Sequence, residues 1–125
     1  MIKNIISLLA VVSLLFIGMV FETGFLNKEF EEFNTVLEVL YDKVNNQTAE
    51  EADVYAVQKS WLDKKTKLHA FIPHNDIKEI DLWLSESATL VRDKEWHDAI
   101  SKIEVLIELT EQIPQTYRLS LSNIF

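Results

Sequence analysis

The residues best suited to chemistry surround a proline in the middle of the chain, at His69, His74, Asp76 and Glu79. Imidazole and carboxylate groups are ligands that zinc and iron accept in proteins. His69 and His74 are five residues apart with Pro73 between them, however, and this spacing does not place two imidazoles on one helical face. Asp76 and Glu79 have the spacing of a capping box at the start of a helix. The sequence therefore predicts no metal site, and these four residues are the candidates if one exists.

The chain contains no residue pattern typical of other kinds of catalytic site. It has no cysteine, which excludes disulfides and thiolate metal sites. Its serines lack the Gly-x-Ser-x-Gly elbow of a hydrolase, and no glycine-rich phosphate loop is present. Trp61, Trp83 and Trp96 have helical spacing that favours interhelix packing, and the basic run DKKTK is typical of a solvated helix face. We therefore expect no enzymatic activity, no catalytic residue and no cofactor.

The most apolar stretch lies at the beginning of the chain, where residues 4–21, NIISLLAVVSLLFIGMVF, contain no charged side chain. A helix of this length extends roughly 27 Å, close to the ~30 Å thickness of a bilayer's hydrocarbon core. The paired small residues that precede a signal-peptide cleavage site are missing after it. We therefore expect residues 1–24 to remain as a transmembrane anchor, with a cleaved signal peptide as the alternative.

Charges flanking the apolar stretch predict its orientation. Lys3 precedes it, whereas all 20 acidic residues and 11 of the 12 basic residues follow it, which gives the following part 11 − 20 = −9 charges. The positive-inside rule then places the amino terminus in the cytoplasm and residues 25–125 outside, as the extracytoplasmic domain of a single-pass protein of the cell membrane. Such an acidic domain is not expected to bind nucleic acid or anionic lipid.

The composition of the domain favours helices. Glycine is absent after Gly24, and proline occurs only at Pro73 and Pro114. Sheets and hairpins need more turn residues than this, so the domain is predicted to be all-α. Apolar residues recur every three or four positions in four stretches, which predicts four amphipathic helices. These stripes run over residues 30–44, 54–72, 77–91 and 96–110.

Polar residues predict where three of the helices begin. Thr48 and Glu51 have the spacing of a capping box at the start of the second helix, as Asp76 and Glu79 do at the third. Asp93 is the expected cap of the fourth helix.

Breaks in the helical pattern predict the topology. Pro73 should end the second helix, Pro114 should kink or break the fourth, and Thr23–Gly24 should form a joint between span and domain. Short connections make neighbouring helices antiparallel, so we expect an up-down four-helix bundle. The loop around Pro73 and the carboxyl-terminal segment would then lie near the membrane.

The terminal segment LSLSNIF, residues 119–125, has no charged side chain although the domain is acidic. An apolar segment is unfavourable in water, so we expect it to be covered. Two alternatives follow: it packs on its own bundle near Phe25 and Leu26, or it docks on a membrane partner or the lipid interface. The interaction residues expected in the second case are Leu119, Leu121, Ile124 and Phe125.

Two motifs resemble a known family: WLDKKTKLHAFIPHNDIKEID in the middle of the chain, and the terminal LSLSNIF. The chain resembles the uncharacterised domain-of-unknown-function family 4363, whose members are short, membrane-anchored helical proteins from endospore-forming Gram-positive bacteria. The resemblance extends over essentially the whole chain. It implies a span followed by a helical domain, and a multi-pass membrane protein as a partner, but no activity. The matching residues are Trp61, His74, Asp76, Ile77, Ile80, Asn123 and Ile124.

Two classes of function are compatible with these features. The first is an extracytoplasmic interaction or structural module that docks on a membrane partner, as the tether and the uncharged terminal segment indicate. The second is a sensor-like domain that binds a ligand or a metal between its helices, as four-helix bundles can.

Overall fold

The computed structural model describes the backbone of residues 1–124 and the side chains of residues 1–116. Its four helices are α1 (Ile2–Asn45), α2 (Glu51–Leu68), α3 (His74–Arg92) and α4 (Trp96–Ile124). The described backbone contains no strand. The expected all-α architecture, an apolar amino-terminal helix followed by a helical bundle, is therefore confirmed.

The first helix joins the apolar stretch to the bundle without an interruption. α1 has 44 residues, which corresponds to a length of about 66 Å. The joint expected at Thr23–Gly24 is wrong, because both residues are helical and no glycine has a positive φ. A single glycine costs a helix only about 1 kcal/mol, which the helical residues on both sides outweigh.

Each helix packs beside the next along the chain, and α4 packs beside α1 to close the bundle. The connections of residues 46–50, 69–73 and 93–95 are short, so neighbouring helices are antiparallel. The core positions of α1 alternate in steps of four and three, as in coiled coils, and those of α4 do the same. These positions are Leu26, Phe30, Phe33, Leu37, Leu40 and Val44 in α1, and Ala99, Ile103, Leu106, Thr110 and Ile113 in α4.

Two helices end in Schellman motifs at the turns farthest from the apolar stretch. In the first motif, the amide of Gln47 donates to Val44 and the amide of Thr48 donates to Lys43. In the second, the amides of Lys94 and Glu95 make the equivalent bonds at the end of α3. Gln47 and Lys94 both have φ of 57°, a left-handed conformation that favours glycine. A chain without glycine in its domain therefore uses larger residues at these two positions.

The structure corrects the predicted helix starts. Thr48 belongs to the first Schellman motif, and the capping box of α2 instead pairs Glu50 with Asp53. A hydrogen bond from Lys43 and one from the Glu50 amide lower the pKa of Asp53. Asp76 lies in the first turn of α3, whose N-cap is Pro73 without a side-chain cap.

Asp93 is likewise the C-cap of α3 and not the start of α4. Of the kink or break predicted at Pro114, the break is wrong, because α4 continues through this buried residue, whereas the kink stays a prediction. The side chains of Leu119, Leu121, Ile124 and Phe125, the expected interaction residues, lie outside the described part of the chain.

Candidate functional site at the end of the bundle next to the apolar stretch

The apolar stretch makes no contribution to the bundle core. None of residues 4–21 is buried, although most of their side chains are large and apolar. Among the described residues, α1 alone is long and apolar enough to cross a membrane. The bundle begins beside this stretch, at Leu26, which is the first buried residue of α1.

We call the adjoining part of the bundle the proximal end. It contains the four residues considered above as metal candidates, together with the interactions that hold α2 and α4 against α1. The described residues of the proximal end are 22–34 of α1, 61–68 of α2, the 69–73 connection, 74–81 of α3 and 107–116 of α4.

The four metal candidates do not converge. The imidazole rings of His69 and His74 lie 6.2 Å apart in an edge-on arrangement, and both side chains are exposed. Glu79 is exposed on α3, whereas Asp76 is partly buried. Within the described residues, no group of three or more histidine, aspartate and glutamate side chains could hold a metal ion. Two imidazoles alone do not complete the ligand set of a zinc or iron site.

Aromatic contacts hold α2 and its following loop against α1. The ring of Phe71, in the loop, packs on Phe25 with centroids 5.5 Å apart. The buried Trp61 packs on Phe33 at 5.2 Å, and its indole Nε1 donates a hydrogen bond of 2.6 Å to Asp81 of α3. The predicted packing role of Trp61 is thus confirmed, with an additional polar contact that connects α2 to α3.

A buried ion pair lies one turn along α2 from Trp61. Lys64 is 6% exposed and Glu29 of α1 is 5% exposed, and the Lys64 Nζ lies 2.9 Å from the Glu29 Oε2. The same ammonium group also donates to the carboxylate of Glu32, which is partly exposed. Two carboxylates from α1 therefore hold one cation from α2, and only one of the carboxylates is in contact with water.

Protonation at this cluster follows from its surroundings. Burial alone would lower the pKa of Lys64, but hydrogen bonds and charges from Glu29 and Glu32 outweigh it, so the pKa is raised. The hydrogen bond from Lys64 lowers the pKa of Glu32. Lys64 and Glu32 are consequently charged at neutral pH, and the cluster forms an electrostatic contact between α1 and α2.

This cluster was not predicted from the sequence, because the DKKTK run was interpreted as a solvated helix face. Lys64 is instead a core position, since Val54, Val57, Trp61, Lys64 and Leu68 follow the three-and-four spacing of the core. A lysine within that spacing is the signal that could have indicated a buried cation. Its neighbour Lys65 does lie near the surface, where its Nζ is 2.8 Å from Asp81.

A polar groove separates α1 from α4 at the same end. Its volume is about 410 Å³, and its walls include Asn27, Phe30 and Glu31 of α1. The side-chain amide of Asn34 on α1 donates a 2.8 Å hydrogen bond across the groove to the hydroxyl of Thr110 on α4. This hydroxyl donates in turn to the carbonyl of Ile107. The groove therefore presents amide and carboxylate groups to solvent beside a buried polar contact.

Comparison with known protein families identifies a match over most of the chain. A family model described as a domain of unknown function, DUF4363, matches residues 20–124. This range contains the whole described bundle and begins where the apolar stretch ends. No curated protein and no solved structure matches the chain.

Proposed function

The chain belongs to the family of domains of unknown function DUF4363, and we propose that it is a membrane-anchored interaction module without catalytic activity of its own. In this proposal α1 crosses the cell membrane once, the amino terminus is cytoplasmic, and the bundle stands outside as an accessory to a membrane protein partner. The observation that supports it most strongly is the continuity of α1, which carries an entirely exposed apolar stretch into a well-packed bundle.

The energetics of the apolar stretch favour a membrane. Residues such as Leu8, Leu15 and Phe16 are more than half exposed, and transfer from water to hydrocarbon yields about 25 cal/mol for each Å² of apolar surface. Because the bundle does not cover this surface, lipid is the environment that would.

The absence of cysteine makes the topology directly testable. Lys3→Cys and Asn46→Cys place single thiols before the span and at the far turn of the bundle. In intact expressing cells, a membrane-impermeant maleimide should modify position 46, whereas position 3 should react only after permeabilisation. The cysteine-free parent chain is the control. Equal labelling of both positions in intact cells, or recovery of the protein outside the membrane fraction, would contradict the proposal.

The partner is tested by purification from detergent-solubilised membranes. We expect the tagged full chain to retain a membrane protein in a fixed ratio. Deletion of residues 122–125 then distinguishes the two roles of the uncharged terminal segment. A docking role predicts loss of the partner at an unchanged melting temperature, whereas packing on its own bundle predicts a lower melting temperature.

The groove between α1 and α4 supports a second candidate, a bundle that binds a small polar ligand. Native mass spectrometry of the purified full chain would then show a stoichiometric bound compound. Asn34→Leu, which removes the hydrogen bond to Thr110 at the groove, should release it. A spectrum with the mass of the chain alone would refute this candidate and leave the interaction module unaffected.

A further inference from the structure

One run of the proximal end has no acidic residue, although the described proximal end as a whole has ten acidic and five basic side chains. Residues 64–75, KKTKLHAFIPHN, contain three lysines, two histidines and no carboxylate, although the chain has a net charge of −8. Residues 112–125 also lack acidic residues. Both stretches belong to the proximal end or directly continue it along the chain. The turns at the opposite end carry Glu50, Glu51, Asp93 and Glu95, with Lys94 among them.

The connection between α2 and α3 presents an aromatic side chain at this end. Phe71 is 40% exposed even though one face of its ring packs on Phe25, and Ala70, His69 and His74 beside it are also exposed. Ile72 is buried and fixes the loop to the core. The loop therefore has one apolar anchor inside the bundle and one aromatic ring directed outward.

The height of this loop above the apolar stretch follows from α1. Glu22 is the first charged residue after the stretch, and Phe25 lies three residues later, a rise of roughly 4.5 Å along a helix. The headgroup layer on each side of a bilayer is about 5–8 Å thick. A ring that contacts Phe25 thus lies at the height of the headgroups when residues 4–21 fill the hydrocarbon core.

We propose that the loop of residues 69–73 rests on the headgroup layer of the membrane that α1 crosses, with Phe71 inserted into the interface. His69 and His74, which are exposed on either side of the loop, would face the phosphates, and no carboxylate lies within residues 64–75. Phenylalanine is among the apolar side chains that interfacial segments bury at the boundary between headgroups and acyl chains. This inference rests on the proposed membrane anchor and assigns it a second point of contact.

Single cysteines in the full chain test the contact. Ala70→Cys, Asn46→Cys and Val12→Cys are labelled with an environment-sensitive fluorophore and reconstituted into nanodiscs that contain brominated, partly anionic phospholipid. The label at position 12 reports the anchor, and the label at position 46 reports the exposed far end. We expect quenching at positions 12 and 70 and none at position 46.

The outcomes separate the two proposals. Quenching at position 12 without quenching at position 70 overturns the loop contact and leaves the anchor intact, and it would favour a protein surface as the partner of this loop. No quenching at position 12 refutes the anchor itself.

A variant checks that the contact depends on the aromatic ring. Phe71→Ser in the position-70 background should abolish most of the quenching. Leu62→Ser is the matched control, since Leu62 is an exposed apolar residue (64%) on the body of α2, and it should leave the quenching unchanged. Circular dichroism establishes that both variants remain folded. Undiminished quenching in a folded Phe71→Ser protein would overturn the assignment.

Discussion

Of the single lysine substitutions, removal of the Lys64 side chain should destabilise the bundle most. Lys64→Ala leaves the carboxylate of Glu29, which is 5% exposed, without the ammonium group 2.9 Å away. Breaking a buried ion pair by removing one partner typically costs about 3–5 kcal/mol, because the remaining charge stays desolvated. For a domain of about 100 residues, the lower value corresponds to a decrease in melting temperature of roughly 12 °C or more.

Lys67→Ala is the matched control three residues away. Lys67 also forms an ion pair, with Asp63 at 3.5 Å, but both side chains are about half exposed. Such surface pairs contribute roughly 0.2–1 kcal/mol, so the control should shift the melting temperature only slightly. The stabilities of the Lys64→Ala and Lys67→Ala variants are measured by thermal or denaturant unfolding of the full chain in detergent, with circular dichroism as the probe.

A double substitution identifies the cause of the loss. Replacing both partners, as in Glu29→Leu with Lys64→Met, should restore most of the stability that Lys64→Ala loses, because no unpaired charge remains. If Lys64→Ala costs less than about 1 kcal/mol, or if the double variant is as unstable as the single one, the argument from desolvation is refuted.

The cluster also predicts an alkaline limit to stability. The pKa of Lys64 is raised above its ordinary value of 10.5 in the folded chain. Its stabilising contribution is therefore complete below pH 10.5 and is lost as the pH rises through the folded-state pKa. In this pH range, the free energy of unfolding should fall more steeply for the parent chain than for the Glu29→Leu, Lys64→Met variant.

Four further substitutions test other parts of the structure through the melting temperature. Gly24→Ala should stabilise α1 by roughly 0.5–1 kcal/mol, since a Cβ at this position meets no atom within 4 Å. Lys94→Gly should raise the free energy of unfolding by about 1 kcal/mol, because glycine adopts the left-handed φ of this position without strain. Asp53→Ala should lower the free energy of unfolding by about 1 kcal/mol, because the capping box of α2 is lost. Since the pKa of Asp53 is lowered in the folded chain, the stability difference between this variant and the parent should vanish as the pH falls through the folded-state pKa. Trp61→Phe should cost about 2 kcal/mol by removing the hydrogen bond to Asp81.

The sequence predicted the helices well because their determinant, the spacing of apolar residues, is local. The helix ends were harder to predict. Thr48 and Glu51 had the spacing of a capping box, but the Schellman turn at Gln47 extends through Thr48, and the box forms two residues later. The second helix was expected to continue to Pro73, but α2 ends at Leu68, and Pro73 is instead the N-cap of α3. Pro114 does not break α4.

The buried cluster could not be derived from local pattern alone. Whether Lys64 is solvated or buried depends on a carboxylate 35 residues earlier in the chain, Glu29, and on the rotation of α2 about its axis. The same holds for Trp61 and Asp81, whose hydrogen bond connects two helices. The spacing of the core residues would have placed Lys64 inside, but it could not have identified its partners.

The unbroken α1 joins the proposed membrane segment to the bundle as a single rigid lever. From Glu22 to Asn45 the helix extends roughly 35 Å, so a tilt of about 20°, the average for membrane-spanning helices, would displace the far turn of the bundle sideways by about 12 Å. A rotation of the segment about its axis would be passed to every helix of the bundle in full, because α1 contains no joint at Gly24 that could absorb it. Changes in bilayer thickness or in the packing of neighbouring membrane helices would thus be converted into movement at the acidic turns of the domain.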